Sequence, residues 1–583
     1  FTIFVCREYA WLLRWDRAGL VVSEPFNFLQ QPFLLHNFFY RFACMSDVQR
    51  GEDSTVVLAS AEDATRMRSF DSFKTDYERE AFKATLVDPV RGSWWPVYKI
   101  LMPEDDVISP ADLKRGEKSR RDDQDSSRKR IREFLVSKPH FMSSSVVGRG
   151  TLCHIAYDAS EKRVVFLKQY WRLDAPTHHP EGEVYLRLHS KKVHHIATPV
   201  AAGDVRPGGG EPQCTRTQEF LPGSPAKLIQ YRLIVEEVAA PLKKYTDSEE
   251  LVGVLYQALR AHGQAWKRAS VLHRDISANN ILIYSYRDDH GRLVVKGLLI
   301  DWGLCKYKEE LGQPPSQGSR SGTWQFISAV LLAYPGDFGH EVWHDIESFI
   351  HVLHWMCFRF HKTNLSTRIP ALYARVSKLY DTCDIDANGE STGGMEKMAI
   401  LESGTVPFKL IGGSANGGLS GACGLSPLLQ QLAKLCAEHY RWLEPRLPGS
   451  SDAANERKKV KLTPNPFLDE SSSSSEEGNL SEDSFTSAQA RARPSLENHR
   501  RILAAFRKNM HGTWIDDPKV EDHFVKIENF LQQQEQEWRL ASKRSSDGST
   551  DSGRPKKRVR SGTCPSSISN TPQLGSIVEG AEN

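Results

Sequence analysis

The sequence predicts an α+β fold with two unequal parts, a small β-rich part followed by a larger helical part. Three observations predict it. Residues 141 to about 445 alternate between short β-rich runs and helical spacing. Residues 1–22 consist of β-rich runs separated by turn residues, which predicts an additional α/β extension at the start. After Leu447 serine tracts and charge blocks dominate, and such sequence cannot bury enough apolar surface to fold alone.

The composition limits the classes of function. At 583 residues the chain is too long for one ordinary core. A formal net charge of +3 argues against a general nucleic-acid-binding surface, so no direct nucleic-acid binding is expected. Ten cysteines without a CxxC pair indicate reduced thiols in a nuclear or cytoplasmic protein. The most apolar stretch, Phe349 to Phe360, is shorter than the roughly 20 residues of a membrane span, so no membrane binding is expected.

These patterns divide the chain into regions. The first contains a β-hairpin, an aromatic helix from Pro32 to Met45 that we expect to be buried against it, and a charged linker. Because the chain opens on Phe1 rather than Met, we expect residues to be missing before it. The predicted regions are an N-terminal segment (1–140), a central domain (141–445, with its small part at 141–240 and its large part at 241–445), a disordered serine-rich acidic linker (446–494), a helical segment (495–540) and a disordered basic tail (541–583).

The strongest chemical signal lies between Val271 and Ile283. This run reads VLHRDISANNILI and matches the pattern H-R-D-x-x-x-x-N between apolar residues. Asp275, with Arg274 beside it, is therefore the candidate catalytic base that accepts a proton from a hydroxyl group. Asn280 offers an amide oxygen, a hard ligand suited to Mg²⁺.

A second acidic residue follows a buried strand. The run Leu298–Gly303 reads LLIDWG and corresponds to a D-F-G element with Trp302 in place of phenylalanine. Asp301 is the candidate principal metal ligand. A turn at 288–291 predicts a hairpin that holds Asn280 and Asp301 close together, at the end opposite the turn.

A glycine-rich turn and a lysine predict a nucleotide site upstream. Val147–Ile155 contains two glycines, with Cys153 at the position of a third, and glycines let backbone N–H groups approach phosphate closely. Lys168 ends a β-rich run, and we expect its carboxylate partner to be Glu183, with Glu181 as the alternative. The predicted nucleotide-binding residues are Gly148, Gly150, Ile155, Lys168, Glu236 and Val238, the last two on a hinge.

Further downstream, three features concern the catalytic loop. Thr323 is expected to bond near Asp275, and Asp345 is expected to be a buried carboxylate that holds the loop. Residues 327–329 read ISA rather than A-P-E, so the usual anchor of an activation segment is absent or replaced.

Together with LRWDRAG (13–19), SEPF (23–26) and RGED (50–53), these motifs resemble the fungal-type protein kinase family over roughly residues 1–360. The DIESF run (345–349) is similar to the corresponding helix of casein-kinase-like enzymes. The resemblance implies a bilobal protein kinase fold that uses ATP and Mg²⁺ to phosphorylate a protein substrate. Together with Thr323, it favours serine or threonine acceptors.

Two other functions stay open. A pseudokinase scaffold that binds nucleotide without turnover is indicated by Cys153, Trp302 and Ser277, which stands where serine/threonine kinases usually carry a lysine. A small-molecule kinase shares the H-x-D-x-x-x-x-N pattern. The basic runs 457–461, 543–544 and 554–560 predict recognition by nuclear-import receptors, with a plain solvated tail as the alternative.

Overall fold

The computed structural model describes residues 1–88, 90–118, 131–220, 223, 226–311, 322–411, 422–448, 494–510, 513–514 and 518–546. Most of the predicted linker 446–494 and of the predicted tail 541–583 lies outside these residues. The same holds for the basic runs 457–461 and 554–560 and for most of the predicted charged linker.

The strands belong to several sheets. Their bounds are β1 (Thr2–Cys6), β2 (Tyr9–Asp16), β3 (Gly19–Val22), β4 (Phe26–Asn27), β5 (Val56–Leu58), β6 (Tyr98–Pro103), β7 (Ile131–Val136), β8 (Phe141–Met142), β9 (Leu152–Asp158), β10 (Arg163–Leu173), β11 (Pro199–Asp204), β12 (Leu228–Val235), β13 (Ala240–Pro241), β14 (Val271–Leu272), β15 (Ile281–Arg287), β16 (Leu293–Leu299), β17 (Lys306–Tyr307), β18 (Asp384–Ile385), β19 (Ser391–Thr392), β20 (Ala422–Cys423) and β21 (Thr513–Trp514).

Helices make up most of the second half. Their bounds are α1 (Pro32–Cys44), α2 (Asp47–Arg50), α3 (Ala61–Arg68), α4 (Asp76–Leu86), α5 (Pro110–Arg115), α6 (Glu181–Ser190), α7 (Ser248–Gln264), α8 (Ala329–Ala333), α9 (Val342–Phe360), α10 (Ile369–Tyr380), α11 (Met395–Ser403), α12 (Leu425–Leu443), α13 (His499–Met510) and α14 (His523–Ser546). Among the described helices, none is both long and apolar enough to cross a membrane.

The chain begins with a small antiparallel sheet in which β2 pairs with β1, β3 and β4. The helix α1 follows it and contains no buried residue, so the expectation of a buried helix is wrong. Phe38 and Phe42 pack against Phe1, with ring centroids 6.2 and 5.8 Å apart. Aromatic residues occupy every side of α1, whereas a sheet can cover one side. The side chains left more than half exposed include Phe33, Phe39 and Tyr40.

An antiparallel sheet of eight strands forms the core of the first half. Its order is β11-β12-β10-β9-β7-β6-β5, with β8 also paired with β9. The strands β5 to β7 precede residue 140 and the others follow it, so the boundary predicted there does not separate two sheets. On this sheet Lys168 of β10 stands directly opposite Cys153 of β9. Their side chains therefore lie on the same face.

The helical part is built around α9, whose residues are all buried. The last helix, α14, packs onto it: Arg359 pairs with Asp522, and the ring nitrogen Nδ1 of His523 lies 3.0 Å from the carbonyl oxygen of Phe358. The helix α13 packs against α7 and α12. Both α13 and α14 begin in the segment predicted to be helical (495–540), and α14 continues into the predicted tail as far as Ser546. The predicted hairpin is confirmed, since β15 and β16 pair and the Gly291 N–H donates to the Asp288 carbonyl at 2.8 Å.

A buried arginine connects the RGED segment to the eight-stranded sheet. Arg232 is 1% exposed, and its guanidinium donates to Thr55 Oγ1 and to Gln169 Oε1, both at 2.8 Å. It also forms an ion pair with Asp53. Removing one partner of a buried ion pair leaves the other charge uncompensated, which is costly.

We expect Asp53→Ala to lower the free energy of unfolding by about 3 kcal/mol, because it leaves the Arg232 charge buried without its counter-ion. Chemical denaturation of the full chain measures this. The exposed Asp71→Ala is the matched control, and the double variant Asp53→Ala, Arg232→Met should recover part of the loss. Equal stability of Asp53→Ala and the control would contradict the expectation.

Candidate active site

A buried carboxylate at the start of α9 holds the loop that follows β14. Asp345 Oδ2 accepts the backbone N–H of Arg274 at 2.9 Å, as the sequence predicted. The ring nitrogens Nε2 of His262 and His340 lie 2.9 and 2.7 Å from its two oxygens. Burial by itself would raise the pKa of Asp345, but the two histidines hold it well below its usual range. Arg274 has a φ of 70°, a left-handed conformation that is strained for a residue other than glycine, so the loop depends on this bond.

The next residue, Asp275, is tied to the segment before α8. Its Oδ1 accepts both the N–H and the hydroxyl of Thr323 at 2.9 Å, which confirms the predicted contact. The Asn280 amide donates to the Asp275 carbonyl at 2.8 Å, so the two ends of the loop are fixed to each other. Burial raises the pKa of Asp275, and the charge of Asp301 raises it further.

Lys168 lies between two carboxylates. Its Nζ is 2.9 Å from Glu181 Oε2 and 2.9 Å from Asp301 Oδ1. The predicted pair with Glu183 is wrong, because Glu183 is exposed on α6 while Glu181, the alternative, is 1% exposed. Glu181 Oε1 also accepts the Trp302 N–H at 3.1 Å.

The geometry of α6 explains the correction. Glu181 shares a helical stripe with buried apolar residues three, four and seven positions later, and this stripe faces the sheet. Glu183 lies off the stripe. The other members of the stripe are Val184, Tyr185 and Leu188.

Asp301 is surrounded by positive charge. Besides Lys168, the Arg149 nitrogen Nη2 lies 3.6 Å from Asp301 Oδ1, and the Arg149 guanidinium lies over the Tyr170 ring at 4.7 Å. Burial alone would raise the pKa of Asp301, but these two cations lower it well below its usual value. Asp301 is therefore ionised across the physiological pH range.

The two predicted metal ligands lie at the same end of the β15–β16 hairpin. The Ile300 N–H donates to the Asn280 carbonyl at 3.0 Å, which brings Asn280 and Asp301 to adjacent strands. Among the described residues, no three or more His, Cys, Asp or Glu side chains cluster as a metal site. Mg²⁺ commonly takes one or two protein oxygens and completes its shell with phosphate oxygens and water. The Asp301 carboxylate and the Asn280 amide oxygen are ligands of the kind that Mg²⁺ takes.

The glycine-rich turn is covered by the first small sheet. Gly148 and Gly150 have φ values of 82° and 51°, which glycine adopts without strain. The Gly148 N–H donates to the Arg17 carbonyl at 2.7 Å, and Arg17 Nη1 donates to the Ser145 carbonyl at 2.8 Å. A Cβ atom at Gly150 would lie 2.4 Å from Arg17 Cζ. The LRWDR segment therefore packs directly on this turn.

The other predicted nucleotide-binding residues lie where the N-terminal helices pack. Ile155 and Val238 are 1% and 2% exposed and belong to one apolar cluster with Phe82 of α4. The Glu236 carboxylate pairs with Lys74, which precedes α4. The N-terminal segment thus covers this end of the sheet, and the roles of Ile155, Glu236 and Val238 stay predictions.

A buried glutamate on α9 replaces the A-P-E anchor. Glu347 Oε1 accepts the Ala329 N–H at 2.7 Å, and its Oε2 accepts the Ser328 hydroxyl at 3.1 Å and the Tyr440 hydroxyl at 2.8 Å. The segment 327–329 is therefore fixed to α9 and α12. Sequence reasoning missed this role, although a glutamate inside an apolar helix was a usable signal.

A buried lysine fixes the preceding residues. Lys397 Nζ donates to the carbonyls of Gln325 and Ile327 at 2.8 and 3.0 Å. Burial lowers the pKa of Lys397 to about 7. Together Glu347 and Lys397 determine the backbone that follows Thr323, and no sequence pattern pointed to Lys397.

The comparison with protein families agrees with the motifs. The sequence pattern described as fungal protein kinase matches residues 97–222 and 211–357. Comparison with curated proteins found no match. A solved structure described as "ROP18 kinase domain in complex with AMP-PNP and sucrose" is 15% identical, with a TM-score of 0.23, over 40% of this chain and 65% of that one. Residues 97–357 of this chain are thus similar to the fungal protein kinase family.

Proposed function

We propose that this chain is an ATP- and Mg²⁺-dependent protein kinase that phosphorylates serine or threonine residues of a protein substrate. One observation carries the proposal: Lys168 lies 2.9 Å from both Glu181 and Asp301. The match of residues 97–357 to the fungal protein kinase family supports the same activity. In this proposal the eight-stranded sheet and α6 form the small lobe, and the part built around α9 forms the large lobe.

Each residue has a distinct task in the proposed reaction. Lys168, held by Glu181, binds and orients nucleotide phosphates, and Asp275 accepts the proton of the attacking hydroxyl. Asn280 and Asp301 hold Mg²⁺, which neutralises phosphate charge when bound. Phosphoryl transfer needs positioning and charge neutralisation more than covalent chemistry, so this set of residues suffices.

A pseudokinase scaffold, which the sequence predicts to bind nucleotide without turnover, is the second candidate. It is favoured by the packing of Ile155 and Val238 against the N-terminal residues Met67 and Phe82, which covers the predicted adenine site. Ser277, at the position where a lysine is usual, points the same way. A small-molecule kinase and import through the basic runs remain predictions from the sequence alone.

A peptide-library assay separates these candidates. Wild type and Lys168→Met are incubated with radiolabelled ATP, Mg²⁺ and the library, and the acceptor residue is identified by mass spectrometry. Label on serine or threonine from wild type, lost in the variant, supports the proposal. Label on tyrosine alone would contradict the acceptor assignment. Label on a metabolite only would favour a small-molecule kinase. No label at all would favour the scaffold.

We expect Asp275→Asn to reduce the rate of transfer by about 100-fold or more, since an amide cannot accept the proton. The binding of ADP, measured by calorimetry, should not change. Asp289→Asn, in the exposed turn after β15, is the matched control. Undiminished transfer by Asp275→Asn would contradict the assignment of the base.

We expect Glu347→Gln and Lys397→Met to raise the KM for a peptide substrate and to leave ADP affinity unchanged, because both residues fix the backbone after Thr323 rather than the nucleotide site. Each variant loses hydrogen bonds worth about 1–3 kcal/mol, so melting temperatures are measured in parallel. Glu390→Gln, an exposed substitution, serves as the control. A loss of ADP affinity with an unchanged peptide KM would contradict this role.

A further inference from the structure

The proposed site has an unusual distribution of positive charge. Ser277, two residues after the candidate base, is 2% exposed, and its hydroxyl carries no charge. A lysine is usual at this position, where it steadies the transferred phosphate. Any cation that takes over this task must therefore come from another part of the chain.

Arg149, in the glycine-rich turn, places a cation next to Asp301. Its backbone carbonyl accepts the Trp171 N–H at 2.8 Å, which fixes the turn to β10. Its guanidinium stacks on the Tyr170 ring, and a Cβ atom at Gly303 would lie 2.7 Å from Nη2. Because residue 303 has no side chain, the guanidinium fits against the backbone that follows Asp301.

The Arg149 guanidinium has an unused donor. Among the described residues, no hydrogen-bond acceptor is in range of Nη2, and its distance of 3.6 Å from Asp301 Oδ1 is that of an ion pair without a hydrogen bond. The Nη2 atom is buried, and other atoms of the side chain leave it 28% exposed. A planar guanidinium with free N–H groups matches the oxygens of a phosphate group.

We propose that Arg149 is a phosphate-binding residue that contacts the terminal phosphate of the nucleotide and supplies the positive charge that Ser277 lacks. The proposal rests on the proposed function, since it requires a nucleoside triphosphate in this site. In this proposal the Arg149 side chain contacts phosphate, in addition to the backbone N–H groups of the glycine-rich turn.

A competing role for Arg149, the neutralisation of Asp301 alone, predicts the opposite effect on nucleotide affinity. If the guanidinium only neutralises Asp301, then bound nucleotide and Mg²⁺ must displace it. Removing the guanidinium would then tighten nucleotide binding. The sign of the change in affinity therefore decides between the two roles.

Calorimetric titration of the full chain with AMP-PNP and with ADP, both with Mg²⁺, tests the proposal. We expect Arg149→Met to weaken the binding of AMP-PNP by roughly 10- to 100-fold, the loss of one or two hydrogen bonds to a charged group, and to change ADP binding little. Arg149→Lys should retain part of the affinity for AMP-PNP. Arg292→Met, an exposed arginine in the turn after β15, is the matched control.

Three results would overturn the proposal. Tighter binding of both nucleotides by Arg149→Met would assign Arg149 the competing role, and equal binding by Arg149→Met and wild type would show that it contacts neither. Equal weakening of both nucleotides would place the contact away from the terminal phosphate. If wild type binds neither nucleotide, the proposed function fails as well, which distinguishes that failure from failure of this inference alone.

Discussion

The loop that carries Arg274 and Asp275 depends on the buried carboxylate of Asp345. A charge taken out of water costs several kcal/mol unless donors surround it. Here the donors come from the loop itself, from α7 and from the residues just before α9. His262 in turn lies 2.6 Å from His499 of α13, ring nitrogen to ring nitrogen. A helix more than 200 residues beyond the loop therefore belongs to the network that fixes the backbone of Arg274.

Burial and neighbouring charges also give the two aspartates of the site, Asp275 and Asp301, different pKa values. Both are partly enclosed, and burial raises the pKa of each. Lys168 and Arg149 reverse this effect at Asp301, whereas the negative charge of Asp301 reinforces it at Asp275. Two carboxyl groups whose pKa values are shifted in opposite directions suit different chemical tasks. Asp301 keeps its charge and suits a metal ion, and Asp275 is the stronger proton acceptor.

The sequence predicted features encoded over short spans of chain. The β15–β16 hairpin and the contacts of Thr323 and Asp345 follow from motifs whose residues have fixed spacing. The partner of Lys168 was also encoded locally, because Glu181 lies on the apolar stripe of α6 and Glu183 does not. The position of the motif alone does not distinguish the two glutamates. A glutamate in an apolar helix marks Glu347 itself, but the hydrogen bonds that Glu347 makes and the continuation of the sheet across residue 140 could not be predicted. They join residues up to 93 positions apart, and a single sequence does not record such pairings.

The LRWDR segment acquires a physical role from its contacts with the glycine-rich turn. Asp16 accepts the N–H groups of Arg216 and Thr217 at 2.8 and 2.9 Å, which fixes the β2–β3 turn to the connection between β11 and β12. From this position the Arg17 carbonyl takes the N–H of Gly148. An N–H group bonded in this way is not free for a phosphate oxygen. A nucleotide phosphate must therefore either displace Arg17 or bind through the rest of the turn, where Arg149 offers the free donor.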